Sequence, residues 1–296
     1  MNNGDAPPAG NDVINGFPSS EGLLGLSGII SELFMDLGTD GFYQSLIGAV
    51  NKLIPVDSSV VLLFSPGEKP AILYDAVYPG EKEYFYEAYL GGAYLLSPLY
   101  RNYQSMNAGF YRLESLVSEK FVESDFYKAY YSSADLVDEA NYLIRIDADT
   151  AVVVSFGRIQ IQRKFSAVEL ERMHVLEAVF RSAVLKHVSL VDLSLPERGA
   201  AKQVHQQLKS AFSMFGSSVL TQREHQVLQL ILEGQSSKSS ARILDISPAT
   251  EKGHRKNIYA KLKVASQAEV FSLFIRVISS IELDTQSDPL AQYLGQ

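Results

Sequence analysis

Leu220–Phe274 reads LTQREHQVLQLILEGQSSKSSARILDISPATEKGHRKNIYAKLKVASQAEVFSLF, and its start and stop signals divide it into four short helices. Thr221 and Glu224 form a Thr-x-x-Glu capping box, in which each side chain satisfies a backbone N–H of the first turn. Val227, Leu228, Ile231 and Leu232 follow at spacings of three and four, making one apolar stripe. Gly234 supplies a left-handed exit. A second helix opens at Ser236 or Ser237 and carries Ala241, Ile243 and Leu244; Asp245-Ile246-Ser247 is the turn after it. Ser247 can cap a third helix, with Pro248 at the first helical position, where a missing N–H costs nothing. Ser266 and Glu269 make a second capping box, opening a fourth helix through Ile278.

The third helix is basic, with Lys252, His254, Arg255, Lys256 and Lys261. Ile258 and Leu262 are four apart and face inward, which leaves most of the cations outward, with Arg255 among the DNA-binding candidates. Duplex DNA is a dense line of negative charge, and cations on one face release its counterions. An α-helix fits the major groove, where Lys or Arg reaches guanine acceptors. Gly253 in mid-helix costs roughly 1 kcal/mol against Ala, which close approach to a base or backbone would explain. The pattern is that of a helix-turn-helix DNA reader. The competing reading is a merely solvated basic face.

The stretch closely resembles the C-terminal domain of the LuxR/NarL family of transcription regulators. The resemblance runs without gaps through Leu220-Thr221-x-Arg223-Glu224-x-x-Val227-Leu228, Gly234-x-Ser236-x-Lys238, Ala241-Arg242-x-Leu244-x-Ile246-Ser247, Thr250-x-Lys252-x-His254-x-x-Asn257-Ile258-x-x-Lys261-Leu262 and Val264. It implies that Lys252, Gly253 and Lys256 face bases, and that Ser247, Thr250, His254 and Lys238 meet phosphates. Three positions depart from the family pattern. Ser240 stands where an aliphatic core residue is usual, Glu251 where Val is usual, and Asp245 where Gly is usual. Buried polar groups destabilise unless paired, so Ser240 and Glu251 are expected to lie near each other or to be partly exposed.

The chain has 296 residues, a natural length for two domains, and 46% hydrophobic content, ample for a core. Its net charge of −8 is unevenly spread. Residues 200–281 hold eleven Lys/Arg and five Asp/Glu, net +6, and the remainder is net −14. Such a split marks a modular regulator, with one half attracted to DNA and the other repelled. There is no Cys, hence no disulfide, thiolate nucleophile or cysteine metal site. The start lacks the basic and apolar regions of a secretory signal, and no apolar run approaches the ~18 residues of a membrane span. A cytoplasmic location without membrane association is the expectation.

Ahead of the reader, helices are expected at Leu23–Leu37 and Asp40–Leu53, strands at Ser58–Ser65 and Ala71–Tyr78, and a helix at Glu81–Leu90. Further strands are expected at Asn141–Ile146 and Ala151–Arg158. A helix is expected at Ser124–Tyr131, and a long one after a Ser166/Glu169 capping box. The fold class that follows is an α+β sensor of the GAF/PAS kind, an antiparallel sheet with helices, followed by an all-α four-helix LuxR-type helix-turn-helix domain. The expected divisions are a disordered tail (1–20), the sensor (21–195), a linker (196–216) with Gly216-Ser217-Ser218 flexible, the reader (217–282) and a C-terminal tail (283–296). The sensor also resembles a region found ahead of this type of reader in some proteobacterial regulators. That resemblance rests on Gly109-Phe110-Tyr111-Arg112-Leu113, Phe126-Tyr127, Tyr130-Tyr131 and Ser155-Phe156-Gly157-Arg158; it implies no defined ligand.

Tyrosine combines an apolar body with a polar tip, which suits a small-ligand pocket. The candidate pocket residues are Tyr86, Tyr89, Tyr100, Tyr103, Phe126, Tyr130, Tyr131, Glu139 and Arg158. Against them stands ordinary packing for the rings and structural ion pairing for the charges. Leu170, Met173, Leu176, Phe180, Ala183 and Leu190 form a stripe that suits either a dimer seam or packing on the domain's own sheet. Val270, Leu273, Phe274 and Val277 offer a second dimer contact.

Nothing marks an enzyme: the five His are scattered, and there is no phosphate loop or nucleophile elbow. No acidic set marks a phosphoacceptor receiver, and the absence of Trp disfavours the acyl-homoserine lactone pocket of the family's quorum-sensing branch. No cofactor is implied. The expectation is a DNA-binding transcription regulator, dimeric, switched by a small-molecule effector of unknown identity and acting with RNA polymerase. The alternative is a protein-interaction regulator whose reader, weakened at Ser240 and Glu251, is degenerate.

Overall fold

The computed structural model describes residues 13–14, 17–18, 20–80, 82, 84–117, 136–159, 163–191, 198–280 and 287–295. A short antiparallel pair, β1 (Val13–Ile14) and β2 (Phe17–Pro18), precedes helices α1 (Ser20–Met35) and α2 (Phe42–Leu53). The central sheet follows: β3 (Ser58–Phe64), β4 (Ala71–Ala76), β5 (Gly109–Arg112), β6 (Leu136–Arg145) and β7 (Ala151–Ile159), in the spatial order β4-β3-β7-β6-β5. Every pairing is antiparallel. This is the α+β fold expected for the N-terminal part.

β-Branched and apolar runs such as Val152-Val153-Val154 are buried on both faces of the sheet, which is why they read as continuous rather than alternating. One face, with Val61, Tyr142, Val154 and Phe156, packs on α1, α2 and the long α5 (Ala167–Leu190). The Ser166/Glu169 capping box that opens α5 is present in full. Of the α5 stripe, Met173, Leu176, Phe180 and Ala183 are buried in this core, so the stripe covers the domain's own sheet.

The other face, with Leu62, Phe64, Leu143 and Val153, is covered by an aromatic segment. A π-helical turn at Tyr84–Tyr89, a 3-10 turn at Ala93–Leu96 and the short helices α3 (Pro98–Asn102) and α4 (Leu113–Leu116) make up this cover. Of Glu81–Leu90, expected as a helix, Tyr84–Tyr89 forms the π-helical turn; β6 begins five residues before the strand expected at Asn141. The helix expected at Ser124–Tyr131 lies outside the described residues.

The linker helix α6 (Arg198–Met214) leads into the reader: α7 (Gln222–Leu232), α8 (Ser237–Ile243), α9 (Pro248–Leu262) and α10 (Gln267–Ser280). All four helices appear where their caps place them. Two expectations are corrected. Gly216-Ser217-Ser218 is pinned, because Asp288 accepts from the backbone N–H of Gly216 at 2.8 Å and of Ser218 at 2.9 Å. The C-terminal segment is likewise no detached tail: α11 (Pro289–Leu294) follows Asp288 and buries Leu290 in the reader's core.

The reader also packs on the sensor. Ala93, Leu96 and Leu113 join the cluster formed by Phe215, Leu228, Phe271, Phe274 and Ile278. At Gly92, with φ of +154°, a side chain would meet Ile278 of α10 and Leu208 of α6. Tyr94 Oη and His205 Nδ1 of α6 lie 3.0 Å apart in the buried seam. Val270, Leu273, Phe274 and Val277, read as a dimer contact, are buried within the single chain.

Candidate nucleic-acid interface and sensor face

The outward side of α9 is bare. Lys252, Gly253, Lys256 and Asn257 are exposed, and His254 is half-buried. Among the described residues neither Lys252 nor Lys256 has an ion-pair partner. At the N-terminus of α9, Ser247 Oγ accepts from the Thr250 N–H at 3.0 Å, and the two hydroxyls lie 2.8 Å apart, both residues exposed. The helix therefore offers a capped, positive-dipole end flanked by free cations, a geometry that attracts phosphate. Lys238 on α8 stands exposed beside a groove shared with Ser236, Ser239, Arg242, Ile246 and Pro248. Arg242 adds an exposed cation that the site residues named from sequence omit.

Arg255, expected on this face, is turned inward. Its side chain is 10% exposed and fully engaged: Nε donates to Glu251 Oε1 at 2.6 Å, one nitrogen donates to Gln267 Oε1 at 3.0 Å, and the other to the Gln235 carbonyl at 2.7 Å and Ser240 Oγ at 3.3 Å. Glu251, wholly buried, also accepts from Ser237 Oγ. The two departures from the family pattern, Ser240 and Glu251, are both wholly buried and pair through Arg255. The signal for this was the spacing 251, 255, 258, 262, which puts Arg255 on the same stripe as Ile258 and Leu262.

Lys261 is neutralised as well, 2.6 Å from Glu224 Oε2. Burial alone would raise the Glu224 carboxyl, but hydrogen bonds from Lys261 and from the Thr221 backbone and hydroxyl outweigh it and hold the pKa at about 2. Asp245, in the position where Gly is usual, adopts a left-handed φ of 53°. The turn requires that conformation, and Asp adopts it more readily than most residues.

On the sensor, the tyrosines gather on the sheet face opposite α5. Tyr100 meets Tyr94 edge-on at 4.9 Å and Phe64 at 5.0 Å, and its hydroxyl donates to the Glu68 carbonyl at 2.8 Å. Tyr89 stacks on Phe85 at 5.6 Å. Burial pushes the phenols of Tyr89, Tyr94 and Tyr100 well up, so they stay neutral hydrogen-bonding groups. Tyr103 is buried with a hydroxyl that lacks a partner. Tyr86 is exposed and bonds Asp75 at 2.7 Å. Glu139 shares this sheet face, raising the Tyr89 pKa by its charge.

On β6, two residues on from Glu139, Asn141 is wholly buried and accepts from Ser155 Oγ at 2.6 Å, while its Nδ2 has no partner. Arg158, expected in the pocket, lies on the other face. It pairs with Glu169 at 2.9 Å and sits over the Phe165 ring, so the sheet separates it from the tyrosines. Phe126, Tyr130 and Tyr131 lie outside the described residues.

Residues 218–274 match the model of bacterial regulatory proteins of the luxR family. The chain carries a LuxR-type helix-turn-helix domain. Over 178 residues it is 29% identical to an Aeromonas salmonicida protein described as an HTH-type transcriptional regulator in the exeN 3' region, covering 58% of this chain and 89% of that one. It is 34% identical over 125 residues to the transcriptional regulatory protein FixJ of Azorhizobium caulinodans, covering 42% of this chain and 56% of FixJ. It is 44% identical over 63 residues to the response regulator TodT of Pseudomonas putida, 21% of this chain and 28% of TodT. The chain thus spans under two thirds of the latter two.

Among solved structures, the VqsR LBD domain from Pseudomonas aeruginosa aligns with a TM-score of 0.48 at 24% identity, over 56% of this chain and 98% of that one. Escherichia coli SdiA aligns with a TM-score of 0.44 at 17% identity, over 88% and 99%. The family match is to residues 218–274, and the relatives named here are described as transcriptional or response regulators. No helix among the described residues is long and apolar enough to cross a membrane.

Proposed function

We propose that this chain is a sequence-specific DNA-binding regulator whose α9 enters the major groove, with Lys252, Gly253 and Lys256 toward the bases. Lys238, Ser247, Thr250 and His254 bind flanking phosphates. The carrying observation is the bare cationic side of a helix whose other side is fully committed to the domain core. The protein acts as a dimer on half-sites one helical turn apart and regulates through RNA polymerase. Against the degenerate-reader alternative stands the pairing of the two unusual buried residues through Arg255.

A small molecule bound on the aromatic sheet face controls it. An apolar wall with few convergent polar groups is what a small-molecule site requires. Tyr89, Tyr100 and Tyr103 supply such a wall, and the unmet donor of Asn141 supplies a point of recognition.

Enrichment of one motif from a random duplex library, lost in Lys252→Ala and Lys256→Ala, tests the DNA reading; sequence-blind binding by the parent chain sinks it. A thermal-shift screen of metabolites on the full chain tests the effector reading, since a ligand that binds only the folded form raises its midpoint. No shift in the parent with any compound that alters its DNA binding counts against the site.

A further inference from the structure

The geometry points to Arg255 as a positioning residue that fixes the angle at which α9 is presented to DNA. This rests on the reading of the chain as a sequence-specific DNA binder. The Arg255–Glu251 pair on α9 bonds directly to α8, to α10 and to the loop after α7. Arg255 holds Gln267 of α10 at 3.0 Å, the Gln235 carbonyl just after α7 at 2.7 Å, and Ser240 of α8 at 3.3 Å. Glu251 holds Ser237 of α8. Gln267 in turn donates to the Ile231 carbonyl of α7 at 3.0 Å.

Stability alone does not account for such a network, since apolar residues of similar volume often serve a buried site as well or better. Apolar contacts have little directional preference, whereas each of these bonds weakens steeply when misaligned. Lys252 and Lys256 each follow a member of the pair by one residue. Any rotation of α9 about its axis that the network resists would swing both lysines together relative to the base edges.

The test compares the parent with the triple replacement Ser240→Ile, Glu251→Val, Arg255→Leu. Each full-length protein is titrated with its enriched motif and with a scrambled duplex at several salt concentrations. The expected result is a folded variant with the parent's salt slope and scrambled-duplex affinity, but with discrimination lowered about tenfold or more. A folded variant that discriminates as well as the parent overturns the proposal.

Should the triple variant lose its fold, Arg255→Lys, which keeps the charge and gives up the planar fork, carries the same test. Reduced discrimination at unchanged salt slope supports the role, and parental discrimination overturns it. A parent that enriches no motif refutes the DNA reading itself, which is a distinct result.

Discussion

Lys261 Nζ lies 2.6 Å from Glu224 Oε2, joining the last turn of α9 to the first turn of α7. Glu224 has a pKa of about 2 in the folded chain, against roughly 4.3 unfolded. A depressed carboxyl stabilises the fold above its unfolded value, and that contribution disappears as pH falls from about 4 toward 2. Glu224→Gln should therefore be less stable at neutral pH and show a flatter acid dependence across that window. Chemical denaturation at stepped pH measures it; an unaltered acid slope would contradict the assignment.

Neighbouring basic residues of α9 should behave oppositely. Arg255→Ala leaves Glu251 buried without its countercharge and should cost about 3–5 kcal/mol of stability. Lys256→Ala, on the exposed side, should change stability by under about 0.5 kcal/mol yet weaken operator binding by about 1–3 kcal/mol. Urea titrations and gel shifts at fixed salt separate the two.

Gly253 has open space around its Cα. Gly253→Ala should stabilise the free protein by about 0.5–1 kcal/mol while lowering operator affinity, if α9 approaches DNA closely there. A variant both more stable and equally tight would show that the glycine has no role at the groove.

Asp245 stands in the left-handed region at φ 53°. Asp245→Gly should relieve strain and raise stability by about 0.5–1 kcal/mol. A lower denaturation midpoint would mean that its side chain contributes more than its backbone costs.

His205 is held below its ordinary pKa, first by burial and then by the charge of Lys209. A depressed histidine stabilises through its neutral form, so its contribution is complete above about pH 6.5 and is lost as pH falls through the folded value. Hydrogen-exchange protection factors along 198–214 should fall on acidification through that range, and Tyr94→Phe should reproduce part of the effect at neutral pH. Protection insensitive to both would detach this pair from the seam.

What the sequence discloses is mostly local. Thr221/Glu224 and Ser166/Glu169 act across three residues, so their helix starts could be read directly. β5 carries no local signal, because Gly109–Arg112 is four residues long and gains its identity from pairing with 140–143. Which side of the sheet Arg158 occupies depends on Glu169, brought close only by folding. Arg255 illustrates the opposite error. Its spacing from Ile258 and Leu262 was visible, but its charge suggested solvent, and only the presence of Glu251 and Gln267 inside reverses that preference.

Asp288 grips Gly216 and Ser218 across 72 and 70 residues of chain. A fragment cut after α10 would keep every residue that matches the family pattern yet lose the clasp at its own entrance. Excised DNA-binding pieces for solution work should therefore extend through 295, and reporters fused to the C-terminus need a spacer beyond that point.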